Sequence, residues 1–91
     1  MSEIGQIRKA IREGNYLVSD HAIEEVEADG LWLREIIDVL KSGELDSTYT
    51  DDPRGTRYVV QGMVDDEEVD VVCRFNRDGK LVIITVYKVD Q

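Results

Sequence analysis

Residues 69–87 read Val-Asp-Val-Val-Cys-Arg-Phe-Asn-Arg-Asp-Gly-Lys-Leu-Val-Ile-Ile-Thr-Val-Tyr. Two runs rich in β-branched and aromatic residues flank Asn76 to Lys80, and Asp78-Gly79 inside that break is a strong signal for a two-residue hairpin turn. Such a turn places Arg74 opposite Ile83 and Phe75 opposite Val82. Side chains alternate across a strand, so Val69, Val71, Cys73 and Phe75 are expected to share a face with Val82, Ile84 and Val86, and that face is the one to bury. Leu81 to Val86 is apolar on both faces, which marks an interior strand with Tyr16 to Val18 pairing at its free edge.

Working outward, the runs Glu44 to Thr50 and Thr56 to Gly62 have the same strand character, set off by Asp51-Asp52-Pro53-Arg54-Gly55 and by Val64-Asp65-Asp66-Glu67. A turn centred on Asp65-Asp66 pairs Arg57 with Arg74, and a five-residue loop 51–55 pairs Tyr49 with Arg57. Before residue 43 the period is helical. Ile4, Ile7, Ala10 and Ile11 form one stripe that Gly14-Asn15 ends. Ser19 caps a second helix that buries Ala22, Ile23 and Val26. Leu33, Ile36, Ile37 and Leu40 mark a third, closed by Gly43. The expected fold is α+β: N-terminal helices packed on one face of a four- to five-stranded antiparallel meander.

The 91 residues fit one domain, 1–91, with 42% hydrophobic and 34% charged residues, a globular composition able to bury about 64% of the chain's surface. One cysteine excludes an internal disulfide, and one Cys with one His excludes the common zinc frameworks, so no metal and no cofactor is expected. No apolar run has the length of a membrane span and Met1 to Glu13 lacks a signal-peptide core, so a cytoplasmic protein with no membrane partner is expected. The net charge of −9 is concentrated: residues 1–18 carry +1, residues 19–52 carry −9 and residues 53–91 carry −1. Such a balance works against unspecific attraction to phosphate backbones.

In the expected register, the sheet face away from the helices collects Tyr49, Arg57, Arg74, Thr85 and Tyr87, beside Gln61 and Asp70. Two arginines directly opposite one another repel unless an anion lies between them. Arginines that hold phosphate and a phenol or imidazole that moves protons are what metal-free phosphodiester chemistry requires, which makes His21, Arg57, Arg74 and Tyr87 candidate catalytic residues, with Tyr49 and Thr85 contacting substrate. The alternatives are structural: an acid such as Asp70 pairs the arginines, and His21 caps its helix or hydrogen-bonds to backbone under the sheet. Cys73 reads as a buried, inert thiol, and Trp32, at a helix start, as core or else as an anchor for a partner. Glu24, Glu25, Glu27 and Asp29 crowd one helix without nearby lysines, a solvated face or a surface for a basic partner or a divalent cation.

Ser19-Asp20-His21-Ala22, Gly43, Tyr58-Val59-Val60-Gln61-Gly62, Val71-Val72 and Ile83-Ile84-Thr85-Val86-Tyr87, in that order and spacing, resemble the bacterial DUF4258 family over nearly all of residues 16–90. The resemblance implies a relation to small ribonuclease toxins of the RelE-like and barnase-like class. It further implies a metal-independent endoribonuclease acting on RNA, or a relative of one, with a cognate antitoxin-like protein as partner. One departure stands out: where family members carry arginines in the helix after His-Ala and before the following Gly, this chain has Glu25 and Asp29. Two functions are therefore expected as alternatives, a toxin-like RNA-cleaving domain or a non-catalytic module that binds protein through its acidic helical face.

Overall fold

A computed structural model describes residues 2–89 of the domain expected over 1–91. The elements run α1 (Glu3–Arg12), β1 (Tyr16–Val18), α2 (Asp20–Ala28), α3 (Leu33–Ser42), β2 (Glu44–Tyr49), β3 (Arg57–Val64), β4 (Glu67–Phe75) and β5 (Leu81–Lys88). The five strands form one sheet in the order β1-β5-β4-β3-β2. Ile7, Ala10 and Ile11 of α1, Ala22 and Val26 of α2, and Ile36, Val39 and Leu40 of α3 are buried against Val60, Val69, Val71, Cys73, Leu81, Ile83 and Val86 of the sheet. The opposite sheet face carries no helix.

The architecture is α+β, but the sheet is mixed. β1 lies between α1 and α2 and pairs parallel to β5, so neither the purely antiparallel meander nor the uninterrupted N-terminal helices hold. A three-residue edge strand can pair in either direction, and its two ends decide. The Leu81 amide donates to the Asn15 carbonyl and the Ser19 amide to the Ile83 carbonyl, fixing β1 along the first half of β5.

Between β3 and β4 the expected register holds, running from Tyr58 opposite Cys73 to Val64 opposite Glu67. Asp65 (φ 49°) and Asp66 (φ 69°) form the turn in the left-handed conformation that a two-residue hairpin with right-twisted strands requires. Tyr49 sits opposite Arg57, also as expected.

Between β4 and β5 the first half of the expected register is corrected: Arg74 lies opposite Val82 and Phe75 opposite Leu81. The turn is longer than Asp78-Gly79 alone. The Asn76 amide donates to the Lys80 carbonyl, the Asn76 side chain accepts from the amides of Asp78 and Lys80, and Gly79 takes φ 80°. That shifts the pairing by one residue until a β-bulge between Val72 and Cys73 absorbs the shift, after which Val72 faces Thr85 and Asp70 faces Tyr87 as expected. Leu81 and Ile83 therefore enter the core where Val82 and Ile84 were expected, while Val86 keeps its place.

Gly43 explains how tightly α3 meets the sheet. A Cβ there would lie 2.5 Å from the backbone oxygens of both Gln61 and Val39, so only glycine fits. The core also holds Cys73, whose thiol is pushed up to about 12 by burial, so it is not a nucleophile.

Candidate functional site

Most of the expected site residues do lie on or beside the helix-free sheet face, yet they fall into three separate groups, each built around a carboxylate. The first is at the free edge of β5. Once β1 ends, the outer backbone edge of β5 has no strand partner, and α2 covers it. Ser19 caps α2, its hydroxyl accepting from the Ala22 amide at 3.1 Å and donating to the Ile84 carbonyl at 2.9 Å. One turn later, a single Glu25 oxygen accepts from the Val86 amide at 2.9 Å and from the Thr85 hydroxyl. His21, four residues earlier on the same helix, brings Nε2 to 3.4 Å from that same oxygen. His21 neither caps the helix nor lies under the sheet; its side chain is 68% exposed. Glu25 thus ties His21 to Thr85, at a place where the sequence offers only an acid in an acidic helix.

The second group is at the β2–β3 end. Arg57 stacks over the Tyr49 ring, 5.4 Å from its centroid, and its Nε lies 3.2 Å from Asp52. Asp52 belongs to the 51–55 loop, where its carboxylate accepts from the Arg54 amide at 2.9 Å. That backbone hydrogen bond, helped by the charges of Arg54 and Arg57 and opposed by partial burial, holds the Asp52 carboxyl below its ordinary range. Asp52, not Asp70, is the acid that pairs an arginine.

The third group crosses the middle of the same face. Asp70 is 6% exposed, the one buried charged residue among those described, and accepts from Gln61 Nε2 at 2.9 Å. Tyr87 stands opposite Asp70 on β5. Burial raises the Tyr87 phenol first; a hydrogen bond to Asp70, that carboxylate's charge, and the charges of Tyr49 and Asp46 raise it further. The phenol is held neutral against a carboxylate.

Arg74 alone stands apart. Half-buried on the same face, it makes no ion pair among the described residues. It lies four residues from Asp70 along β4, about 13 Å at the usual rise of an extended strand, so Arg74 and Tyr87 do not flank one small site. Among the described residues no group of three or more His, Cys, Asp or Glu side chains is arranged to hold a metal ion.

The family model for the domain of unknown function DUF4258 matches residues 18–88. The chain belongs to the DUF4258 family. No curated protein and no solved structure matches it. The DUF4258 match begins at the end of β1 and runs through β5, so it includes every candidate site residue and leaves α1 outside. No helix among the described residues is long and apolar enough to cross a membrane.

The helical side of this DUF4258 domain corrects two further expectations. Trp32, expected in the core, is the N-cap of α3 and 64% exposed, with the Arg34 guanidinium 5.5 Å over its ring. Ile23, expected to be buried, is exposed, as is Leu33 at the start of α3. The reason is the layout of the helices: α2 packs on β5 while α3 packs on β3 and α1, so the two diverge and leave apolar side chains between them.

Proposed function

We propose that this DUF4258 chain is a non-catalytic protein-interaction module that uses its acidic helical face, rather than a toxin-like endoribonuclease. The observation that carries this reading is the way carboxylates occupy the candidate catalytic groups. Glu25 binds Thr85 and faces His21, Asp52 faces Arg57, and Asp70 accepts from Gln61 and stands opposite Tyr87. A phosphodiester needs these same groups free and cationic or proton-donating, and in a low-dielectric site a fixed carboxylate repels the phosphate it would have to bind. On α2, Asp20, Glu24 and Glu27 are exposed and unpaired among the described residues, which leaves an anionic surface facing solvent.

One observation favours the second reading, metal-independent RNA cleavage: Arg74, on the helix-free face next to the Tyr58–Cys73 pair, makes no ion pair among the described residues. The two readings separate in a single assay. The purified chain is incubated with mixed RNA in excess chelator, and again with added divalent cation. The proposal expects no fragments above the buffer control in either condition. RNA cleavage by the wild type that drops at least about tenfold in Arg74→Ala, with the variant still folded, would overturn the proposal and establish the ribonuclease.

A further inference from the structure

We propose that the groove between α2 and α3 is the contact point of this module, and that its occupant is a basic amphipathic helix of a partner protein. The inference rests on the protein-interaction reading and narrows it to one surface and one kind of partner. Ile23, Val26, Leu31, Trp32 and Leu33, with Glu27 at the rim, enclose a cavity of about 330 Å³, large enough for more than one apolar side chain. Ile23 and Leu33 lie on the apolar stripes of α2 and α3 and Trp32 caps α3, yet all three are exposed, so three large apolar side chains stand in water at one place.

Trp32 is held ready for contact. Its backbone amide donates to Glu35 at 2.8 Å, fixing the start of α3, and Arg34 lies against one side of the indole. A large aromatic side chain beside an apolar pocket is the usual anchor of a protein interface.

Charge selects the occupant. The exposed side of α2 next to the groove carries Asp20, Glu24 and Glu27, with no cation paired to them among the described residues. A second copy of a chain of net charge −9 would bring the same acids against themselves. An anionic lipid surface is repelled for the same reason. A small molecule would find apolar walls and one carboxylate, without the converging polar groups that orient such ligands. A helix with an apolar stripe and lysines or arginines beside it satisfies both the groove and its rim.

The probe is a short peptide with leucines at i, i+3, i+4 and i+7 and lysines between them, beside a counterpart carrying glutamate in place of lysine. Trp32 is the only tryptophan, so its emission reports directly on the groove. The lysine peptide should saturate a shift of that emission to shorter wavelength, with affinity falling as salt rises, and the glutamate peptide should not. By anisotropy of a labelled peptide, Trp32→Ala and Ile23→Ser should each weaken binding by about 30-fold, the loss typical of an interface anchor. Both positions are exposed, and unchanged melting curves would confirm that the variants remain folded. Equal binding of the lysine peptide to the wild type and both variants would overturn the groove while leaving the acidic-face reading in place. Absence of binding by the wild type, equal binding of the glutamate peptide, or a concentration-dependent Trp32 shift without peptide, which would identify a second copy, would each overturn it too. RNA cleavage, by contrast, would remove the function reading whatever the groove binds.

Discussion

Glu25→Ala probes the joint between α2 and the free edge of β5. The substitution removes the acceptor for the Val86 amide and the Thr85 hydroxyl and the carboxylate beside His21. A buried donor left without a partner costs about 1–3 kcal/mol, and hydrogen bonds to a charged acceptor lie at the upper end. The Glu25 side chain is 24% exposed, so water restores part of the loss, and about 1–2 kcal/mol remains. Against this, removing the like-charged Glu25–Asp29 pair four residues apart returns only a few tenths of a kcal/mol. The loss wins, and for a domain of this size it should lower Tm by roughly 4–15 °C. Thermal unfolding followed by circular dichroism measures it, with Thr85→Val as the second arm of a double-mutant cycle. The two changes should cost clearly less together than the sum of their separate costs, because they share one hydrogen bond. An unchanged Tm in Glu25→Ala, or additive losses in the pair, would refute this account of the acid.

Three further expectations follow from the core and the loops. Gly43→Ala should destabilise by about 1–3 kcal/mol in urea unfolding, since its methyl meets two backbone oxygens at 2.5 Å, whereas Gly62→Ala, which meets Val39 methyls at 3.1 Å, should cost less. Cys73 should stay unlabelled by a thiol reagent at pH 8 in the native protein and react on unfolding; because its folded value lies above the unfolded one, any stability it contributes is present below about pH 9 and lost as pH rises toward 12. Asp52 has the opposite sign: its folded value is depressed below 3.8, so its contribution is present above that pH and lost as pH falls through the folded value, and Asp52→Asn should remove that acid-sensitive part in a pH series of melts.

Much of the fold was legible because hydrophobic period and turn chemistry agree. Ser19, Gly43 and the apolar stripes placed three helices, and Asp65-Asp66 fixed the β3–β4 register to the residue. What sequence missed has local causes. The direction of β1 depends on where α1 and α2 release the chain, which three residues cannot encode. The β4–β5 register depends on Asn76 organising a longer turn, and the bulge that undoes the shift has no signature in Ile83-Ile84-Thr85. At the site, alternation correctly put Tyr49, Arg57, Arg74 and Tyr87 on one face with Asp70, but the other two carboxylates, Glu25 and Asp52, come from outside the sheet. Asp52 sits in a loop whose Asp-Pro-Arg-Gly sequence announces a side-chain-stabilised turn and could have been read as its anchor. Glu25 gave no signal beyond standing four residues after His21. Ile23 was assigned to the core because periodicity marks an apolar side without showing whether a neighbouring element covers it, and Trp32 because large aromatics are usually buried.

Whether this DUF4258 domain presents a surface for basic protein rather than for RNA is decided by a parallel titration. The wild type and Glu24→Lys/Glu27→Lys, a change of four charge units at exposed positions on α2, are titrated with the lysine–leucine peptide and with a single-stranded RNA oligonucleotide over a salt series. The wild type should bind the peptide, progressively less as salt rises, and show no saturable RNA binding even at low salt, and the double variant should lose most of the peptide affinity. Saturable RNA binding by the wild type, with log affinity falling by about 0.7 per phosphate contact for each tenfold rise in salt and no binding of the peptide, would contradict it.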